Sequence, residues 1–158
     1  LGGCLYGLEA LGTMRIEKGH VTGAELDGRI TLEDAGLGKM ASSKKDFIGN
    51  VLRQRPAMMD QNRPRLVGIF PKIRSQTFNA GSILCNENEI AGQGEGWITG
   101  VTFSPVFGHW IGLGFISGGC DNWINKTAIA SDPVRKKNIK VEIVSPHMYD
   151  PEGLRQYG

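Results

Sequence analysis

The stretch GVTFSPVFGHWIGLG, residues 100–114, decides the fold of this chain. Apolar residues, many of them β-branched or aromatic, fill its two halves, which is typical of strands. Ser104 and Pro105 stand between the halves. Proline cannot donate a hydrogen bond to a sheet and therefore ends a strand. The stretch predicts two strands, over residues 95–103 and 110–116, separated by a turn.

Four more strands of the same texture lie around this pair, at residues 65–70, 82–85, 127–130 and 139–144. Glycine, asparagine, aspartate or proline separates each strand from the next. Six short strands at this spacing predict an antiparallel barrel or a sandwich. A closed barrel would remove the exposed edges that short strands otherwise present.

The first 58 residues have a different texture, a mixture of helix and loop. The spacing of apolar residues and the positions of capping residues predict three helices, over residues 5–14, 31–35 and 47–55, and residues 15–17 would either continue the first helix or run extended. Asp46 would cap the third helix and Pro56 would end it. The chain is therefore predicted to be an α+β protein, with a boundary near residues 57–62.

Composition narrows the class of protein. The net charge of +2 over 158 residues is too small to predict binding to nucleic acid, and no apolar stretch is long enough to predict a membrane span. The three cysteines lie far apart in the sequence, at Cys4, Cys85 and Cys120, and the three histidines are scattered in the same way. This spacing predicts reduced thiols in a cytoplasmic protein and no metal site. The chain opens at Leu1 without an initiator methionine, and we expect a fragment or a processed product.

The segment MRIEKG, residues 14–19, holds the most informative candidate for a site. Glu17 stands between an apolar residue and Lys18, where the chain direction can change. In one interpretation its carboxylate faces a pocket and accepts hydrogen bonds from N–H donors on a flat heterocycle. In the other it pairs with Arg15 or Lys18 across solvent. The spacing of the other residues indicates no Ser/His/Asp or Cys/His arrangement, so we predict no catalytic residue.

Two larger groups of side chains also have two interpretations. Four aromatic residues are interpreted as barrel core or as a stacking platform: Trp97, Phe103, Phe107 and Trp110. Basic residues cluster at 53–65 and at 135–140. They are interpreted as a solvated face and a charged turn, or as an attraction for a polyanionic ligand tail.

Four motifs in the same order resemble one known family. Residues 7–19 are similar to its "ARDxLRLEAG" segment, 45–49 to "DFIG", 65–68 to "KLVG" and 100–114 to "GTFSPxLGxxIALG". The family is that of the aminomethyltransferases, the T-proteins of the glycine cleavage system. A narrower resemblance is to the alpha-subunit family of bacterial heterotetrameric sarcosine oxidases, carried by residues 14–20, 35–40, 63–68, 107–114 and 145–153.

The resemblance implies a division of the chain into two parts. Residues 1–58 would be the C-terminal part of the folate-binding, T-protein-like domain. Residues 59–158 would be the C-terminal antiparallel β-barrel, with about six strands. The chain itself would be the C-terminal part of an oxidase alpha subunit.

The resemblance also implies tetrahydrofolate as the cofactor. In the family, the acid at the position of Glu17 pairs with the edge of the pterin ring, and a basic residue just before "DF" helps to hold folate. Lys44 and Lys45 occupy that stretch here. The aspartate that the family places near the reacting nitrogen would lie before Leu1.

The parent reaction implied is the oxidative demethylation of sarcosine to glycine. The one-carbon unit would pass to tetrahydrofolate as 5,10-methylenetetrahydrofolate or leave as formaldehyde, with hydrogen peroxide as the other product. FAD, FMN and NAD would be bound outside this chain, and the partners would be folate and the other oxidase subunits. Two alternatives are a piece of a glycine cleavage aminomethyltransferase and a non-catalytic module that docks subunits. We expect the isolated chain to be inactive and to bind folate weakly or not at all.

Overall fold

The computed structural model describes residues 2–42, 44–88 and 94–157. Its centre is a closed barrel of six strands: β1 (Pro64–Pro71), β2 (Ile83–Asn86), β3 (Gly96–Ser104), β4 (His109–Ser117), β5 (Ala128–Asp132) and β6 (Lys137–Val144). The order around the barrel is β1-β4-β3-β2-β5-β6, β6 pairs with β1, and every neighbouring pair is antiparallel. The six predicted strands are confirmed, and the alternatives of barrel and sandwich are resolved in favour of the barrel.

Aliphatic side chains fill the barrel. Its most deeply buried members include Val67, Ile69, Leu84, Ile98 and Val141. Burying apolar surface of this kind is the main favourable term in folding.

Glycines let β3 and β4 approach each other closely. A Cβ atom on Gly114 would lie 2.5 Å from the carbonyl oxygen of Trp97, and one on Gly96 would lie 2.0 Å from that of Phe115. Any side chain at these two positions would collide with backbone, which explains the glycine at each of them.

The aromatic residues expected in the core lie at its edge. Trp97, Phe107 and Trp110 are only half-buried, and Phe103 is 48% exposed. The prediction that they form the barrel core is confirmed only in part: Trp110 and Phe107 pack against the buried clusters, but none of the four is itself buried. The buried phenylalanines are Phe78 and Phe115.

The first helix differs from its predicted bounds. α1 (Leu8–Lys18) begins three residues later than predicted and includes the segment around Glu17. It ends at Gly19, whose φ of 73° is in the left-handed region that glycine adopts at little cost. Its buried residue Ile16 packs against Ile111 and Leu113 of β4, so the helix lies on the barrel.

The other two predicted helices are shorter or absent. Residues 31–35 form only a turn, which Thr31 and Asp34 close by exchanging backbone-to-side-chain hydrogen bonds. α2 (Asn50–Arg53) covers four of the nine residues predicted, because Gly49, with a φ of 93°, interrupts the helix. A short helix that the sequence did not predict, α3 (Gly119–Trp123), follows β4.

The division of the chain near residue 58 stays a prediction. Within the described ranges, no helix is both long enough and apolar enough to cross a membrane.

Candidate functional site

Glu17 lies in the last turn of α1 and is buried, with only 6% of its surface exposed. Ser104, the last residue of β3, donates its hydroxyl hydrogen to Oε1 of Glu17. The backbone N–H of Phe107 donates in turn to Oγ of Ser104 at 3.2 Å. Among the described residues, no other group donates a hydrogen bond to the Glu17 carboxylate, so Oε2 is without a protein partner there.

The interpretation of Glu17 as half of a solvent-exposed ion pair is wrong. Nη1 of Arg15 lies 3.1 Å from Oε2 of Glu25, and Nζ of Lys18 lies 3.0 Å from Oδ2 of Asp150. Both basic neighbours of Glu17 are therefore engaged by other acids.

A C-terminal segment, residues 145–150, holds the end of α1; we call it the C-terminal strap. The N–H of Tyr149 donates to the backbone carbonyl of Glu17 at 2.9 Å, and the ring of His147 contacts the carbonyl of Lys18 at 3.2 Å. Hydrogen bonding from Lys18 lowers the pKa of Asp150 below its ordinary value. The backbone that carries Glu17 is thus fixed by the strap.

The strap also explains the glycine of the MRIEKG segment. A Cβ atom on Gly19 would lie 2.4 Å from the carbonyl oxygen of Pro146. Only glycine allows the strap to pass so close to the helix end.

Aromatic side chains cluster at the same end of the barrel, where β1 and β3 end and β4 begins. Phe70 lies 5.4 Å from Phe107 and 4.9 Å from His109, measured between ring centroids. Phe70 and Phe107 also pack against the small apolar cluster that contains Ile16. The site therefore combines a buried carboxylate with half-buried aromatic rings.

Sequence reasoning missed Phe70, His109 and Ser104 as members of this site. Their shared signal was position: each lies within two residues of a predicted strand end, and these ends come together in an antiparallel barrel. The contact between Glu17 and Ser104 spans 87 residues of sequence, so no local pattern revealed it.

Lys44 and Lys45 lie in a different place. They are exposed and line a cavity of about 770 Å³, which Glu17 does not line. The cavity is mixed in charge; its ionisable lining residues are Lys44, Lys45, Arg53, Arg65, Glu33, Asp34, Asp46 and Asp60. The structure thus does not bring the two lysines and Glu17 into one cavity, and their role in holding a ligand stays a prediction.

The basic cluster near residues 53–65 is only partly a solvated face. Arg63 pairs with Asp34, whose side chain is 3% exposed, through Nε at 3.0 Å. This hydrogen bonding raises the pKa of Arg63. Arg53 pairs with Glu33. Two of the arginines, Arg53 and Arg63, therefore form ion pairs with acids of the same chain instead of facing only solvent.

Glu25 is a second buried carboxylate, and it ties the loop after α1 to the helix. Its Oε2 atom accepts hydrogen bonds from the N–H of Thr22 at 2.8 Å and from Nη1 of Arg15 at 3.1 Å. Burial on its own raises the pKa of Glu25, but hydrogen bonding to Thr22 and the charge of Arg15 hold it below the ordinary value of 4.5. The folded protein therefore favours the charged form of Glu25.

This shift makes stability depend on pH. A lowered pKa in the folded state adds stability above the unfolded pKa, and that stability is lost as the pH falls through the folded pKa. We expect the free energy of unfolding to fall more steeply between about pH 5 and pH 3 in the wild type than in Glu25→Gln. Urea unfolding of both proteins across this range measures the difference. Exposed Glu9→Gln is the control and should follow the wild type; parallel curves for wild type and Glu25→Gln would contradict the assignment.

The chemistry available at the Glu17 site is recognition. An ionised carboxylate is only an acceptor, and its bonds to donors are roughly twice as strong as neutral ones. Aromatic faces beside it can stack on a flat ring. The arrangement suits a planar ligand that carries N–H groups along one edge.

Comparison with known proteins identifies the family to which the chain belongs. Residues 65–150 match the family described as the glycine cleavage T-protein C-terminal barrel domain. The match covers more than half of the chain, which therefore belongs to this family.

Individual relatives show which proteins the chain resembles over most of its length. The sarcosine oxidase subunit alpha of Rhizobium meliloti (strain 1021) is 34% identical over 153 residues, which are 95% of this chain and 15% of that protein. The corresponding subunit of Corynebacterium sp. (strain U-96) is 32% identical, over 97% of this chain and 16% of that protein. An aminomethyltransferase of Francisella tularensis subsp. tularensis is 31% identical over 147 residues, covering 89% of this chain and 37% of that protein.

A solved structure shares the fold. The crystal structure of the glycine cleavage system aminomethyltransferase T from Bartonella henselae superposes with a TM-score of 0.70 at 22% identity, covering 92% of this chain and 39% of that one. The predicted resemblance to T-proteins and to sarcosine oxidase alpha subunits is confirmed. The chain spans about one sixth of the length of the oxidase subunits that it matches.

Proposed function

We propose that this chain is the tetrahydrofolate-binding C-terminal part of a sarcosine oxidase alpha subunit. The parent enzyme would demethylate sarcosine oxidatively to glycine. It would pass the one-carbon unit to tetrahydrofolate as 5,10-methylenetetrahydrofolate, or release formaldehyde, and form hydrogen peroxide. The similarity to oxidase alpha subunits over 95% and 97% of the chain supports this assignment.

The observation that carries the proposal is the buried carboxylate of Glu17 with one oxygen free of described donors. The edge of a pterin ring carries adjacent N–H groups, and these fit an acceptor of this kind. Phe70 and Phe107 lie at the same barrel end and suit the flat face of such a ring.

The residues of this chain would bind and orient rather than react. Glu17 would hold the pterin edge, and the C-terminal strap would keep Glu17 in place. Tetrahydrofolate, when bound, supplies the nucleophilic nitrogen that takes up the one-carbon unit. Lys44 and Lys45 are proposed to attract the acidic tail of the cofactor, in the manner of a point charge.

The remaining cofactors are assigned to other parts of the assembly. FAD, FMN and NAD carry the redox chemistry of the proposed reaction, and a protein supplies such groups with binding and orientation. We propose the other oxidase subunits as partners and the cytoplasm as the location. Large apolar side chains are exposed within residues 1–58, among them Leu5, Leu8 and Ile48.

An aminomethyltransferase is the second candidate, because relatives with that name are 31% identical over 89% of the chain. Such an enzyme takes its carbon unit from a lipoyl carrier and uses no flavin.

Product analysis of the complete assembled enzyme separates the two candidates. We expect sarcosine and oxygen to give hydrogen peroxide, with formaldehyde in the absence of tetrahydrofolate and 5,10-methylenetetrahydrofolate in its presence. Chromatography of the folate products and a peroxide assay measure this outcome. Turnover of an aminomethylated lipoyl carrier, with no oxidation of sarcosine, would overturn the oxidase assignment in favour of the transferase.

A further inference from the structure

The hydroxyl hydrogen of Ser104 is held in one orientation. Ser104 is fully buried, and its Oγ accepts the N–H of Phe107 at 3.2 Å. A hydroxyl has one hydrogen to donate. Glu17 is the acceptor within reach, so the hydrogen points at Oε1 of its carboxylate.

The turn between β3 and β4 builds this geometry. The N–H of Gly108 donates to the backbone carbonyl of Ser104 at 2.9 Å, and Gly108 has a φ of 71°. Pro105 follows Ser104 directly and restricts the backbone at the strand end. The turn therefore presents the Phe107 N–H to the serine before any ligand arrives.

We propose that Ser104 is a positioning residue that fixes the direction of the Glu17 carboxylate for its ligand. The hydroxyl occupies Oε1, while Oε2 is left for a donor outside the described residues. The arrangement selects a ligand edge that donates hydrogen bonds and rejects one that accepts them. This inference rests on the proposed function, in which that edge belongs to tetrahydrofolate.

Substitution of Ser104 tests the inference in the complete assembled enzyme. Ser104→Ala removes the donor and leaves Glu17 free to turn, so we expect the Kd for tetrahydrofolate to rise about tenfold. Calorimetry gives the Kd, and thermal unfolding shows whether the variant is folded.

Two further variants make the test specific. Thr102→Val removes the other hydroxyl contact between α1 and β3, a bond of 2.8 Å to Thr13, and should leave the Kd unchanged. Ser104→Cys replaces the hydroxyl with a somewhat larger thiol that is a weaker donor, and it should raise the Kd less than Ser104→Ala. If Ser104→Ala does not fold, Ser104→Cys carries the test, and a wild-type Kd for it would overturn the inference.

A double variant separates this inference from the proposed function. In a Glu17→Ala background, Ser104→Ala should cause no further loss of affinity, because its effect acts through Glu17. An equal tenfold loss in both backgrounds, or an unchanged Kd in folded Ser104→Ala, would overturn the positioning role while leaving folate recognition by Glu17 intact. An unchanged Kd in Glu17→Ala alone would instead overturn the proposed function of Glu17.

Discussion

Glu17→Ala is expected to weaken tetrahydrofolate binding to the complete enzyme about 100-fold, because charge-assisted hydrogen bonds to a buried carboxylate are lost. Glu17 is 6% exposed, so water replaces its carboxylate poorly as an acceptor. Oxidation of sarcosine should continue at the wild-type rate, and formaldehyde should replace 5,10-methylenetetrahydrofolate as the product at low folate concentration. Calorimetric titration and product analysis measure the two effects.

Matched variants show whether charge or shape matters at this position. Glu17→Gln keeps the shape but replaces one acceptor with an amide donor, and we expect a Kd between those of wild type and Glu17→Ala. Glu9→Gln changes an exposed acid on the same helix and should bind folate normally. Wild-type affinity in Glu17→Ala would remove Glu17 from the folate site.

Asp34→Ala is expected to lower the free energy of unfolding by about 3 kcal/mol, because it leaves the Arg63 guanidinium without its buried partner. The aspartate side chain is 3% exposed and that of Arg63 is 17% exposed, so solvent compensates only in part. The pair also joins the turn at residues 31–35 to the start of the barrel. Urea denaturation of wild type and variant gives the difference.

An exposed pair provides the control for this prediction. Arg29 and Asp27 are also bonded, but their side chains are 79% and 37% exposed. Ion pairs in solvent contribute little, and Asp27→Ala should therefore unfold close to the wild type. Equal effects of Asp34→Ala and Asp27→Ala would mean that burial of the Arg63 pair adds no stability.

The sequence predicted the strands better than their arrangement. Each strand is bounded by proline, glycine or a polar turn, and these boundaries act locally. Closure of the barrel depends on β1 pairing with both β4 and β6, which are far from it in sequence. No local pattern decides between that pairing and a sandwich.

The helix predictions were wrong where tertiary contacts or a glycine outweighed local helix propensity. Asp46 as a cap and Pro56 as a stop predicted a helix across residues 47–55, but Gly49 takes a left-handed conformation within it. Conversely, α1 extends to Lys18 because Ile16 packs on the barrel and the strap holds the helix end.

The sequence predicted only part of the candidate site, because the rest depends on contacts between residues that are distant in sequence. Glu17 was visible as an acid in an apolar setting. Ser104 has the pattern of a turn residue before proline, and only the packing of α1 against β3 brings its hydroxyl to the carboxylate.

Glu17 is proposed to recognise the pterin edge of tetrahydrofolate. A crystal structure of the complete enzyme with tetrahydrofolate bound is the sharpest test of this role. We expect a pterin N–H group to lie within about 2.7–3.1 Å of a Glu17 carboxylate oxygen while Ser104 still donates to that carboxylate. A bound pterin with no contact to Glu17 would contradict it.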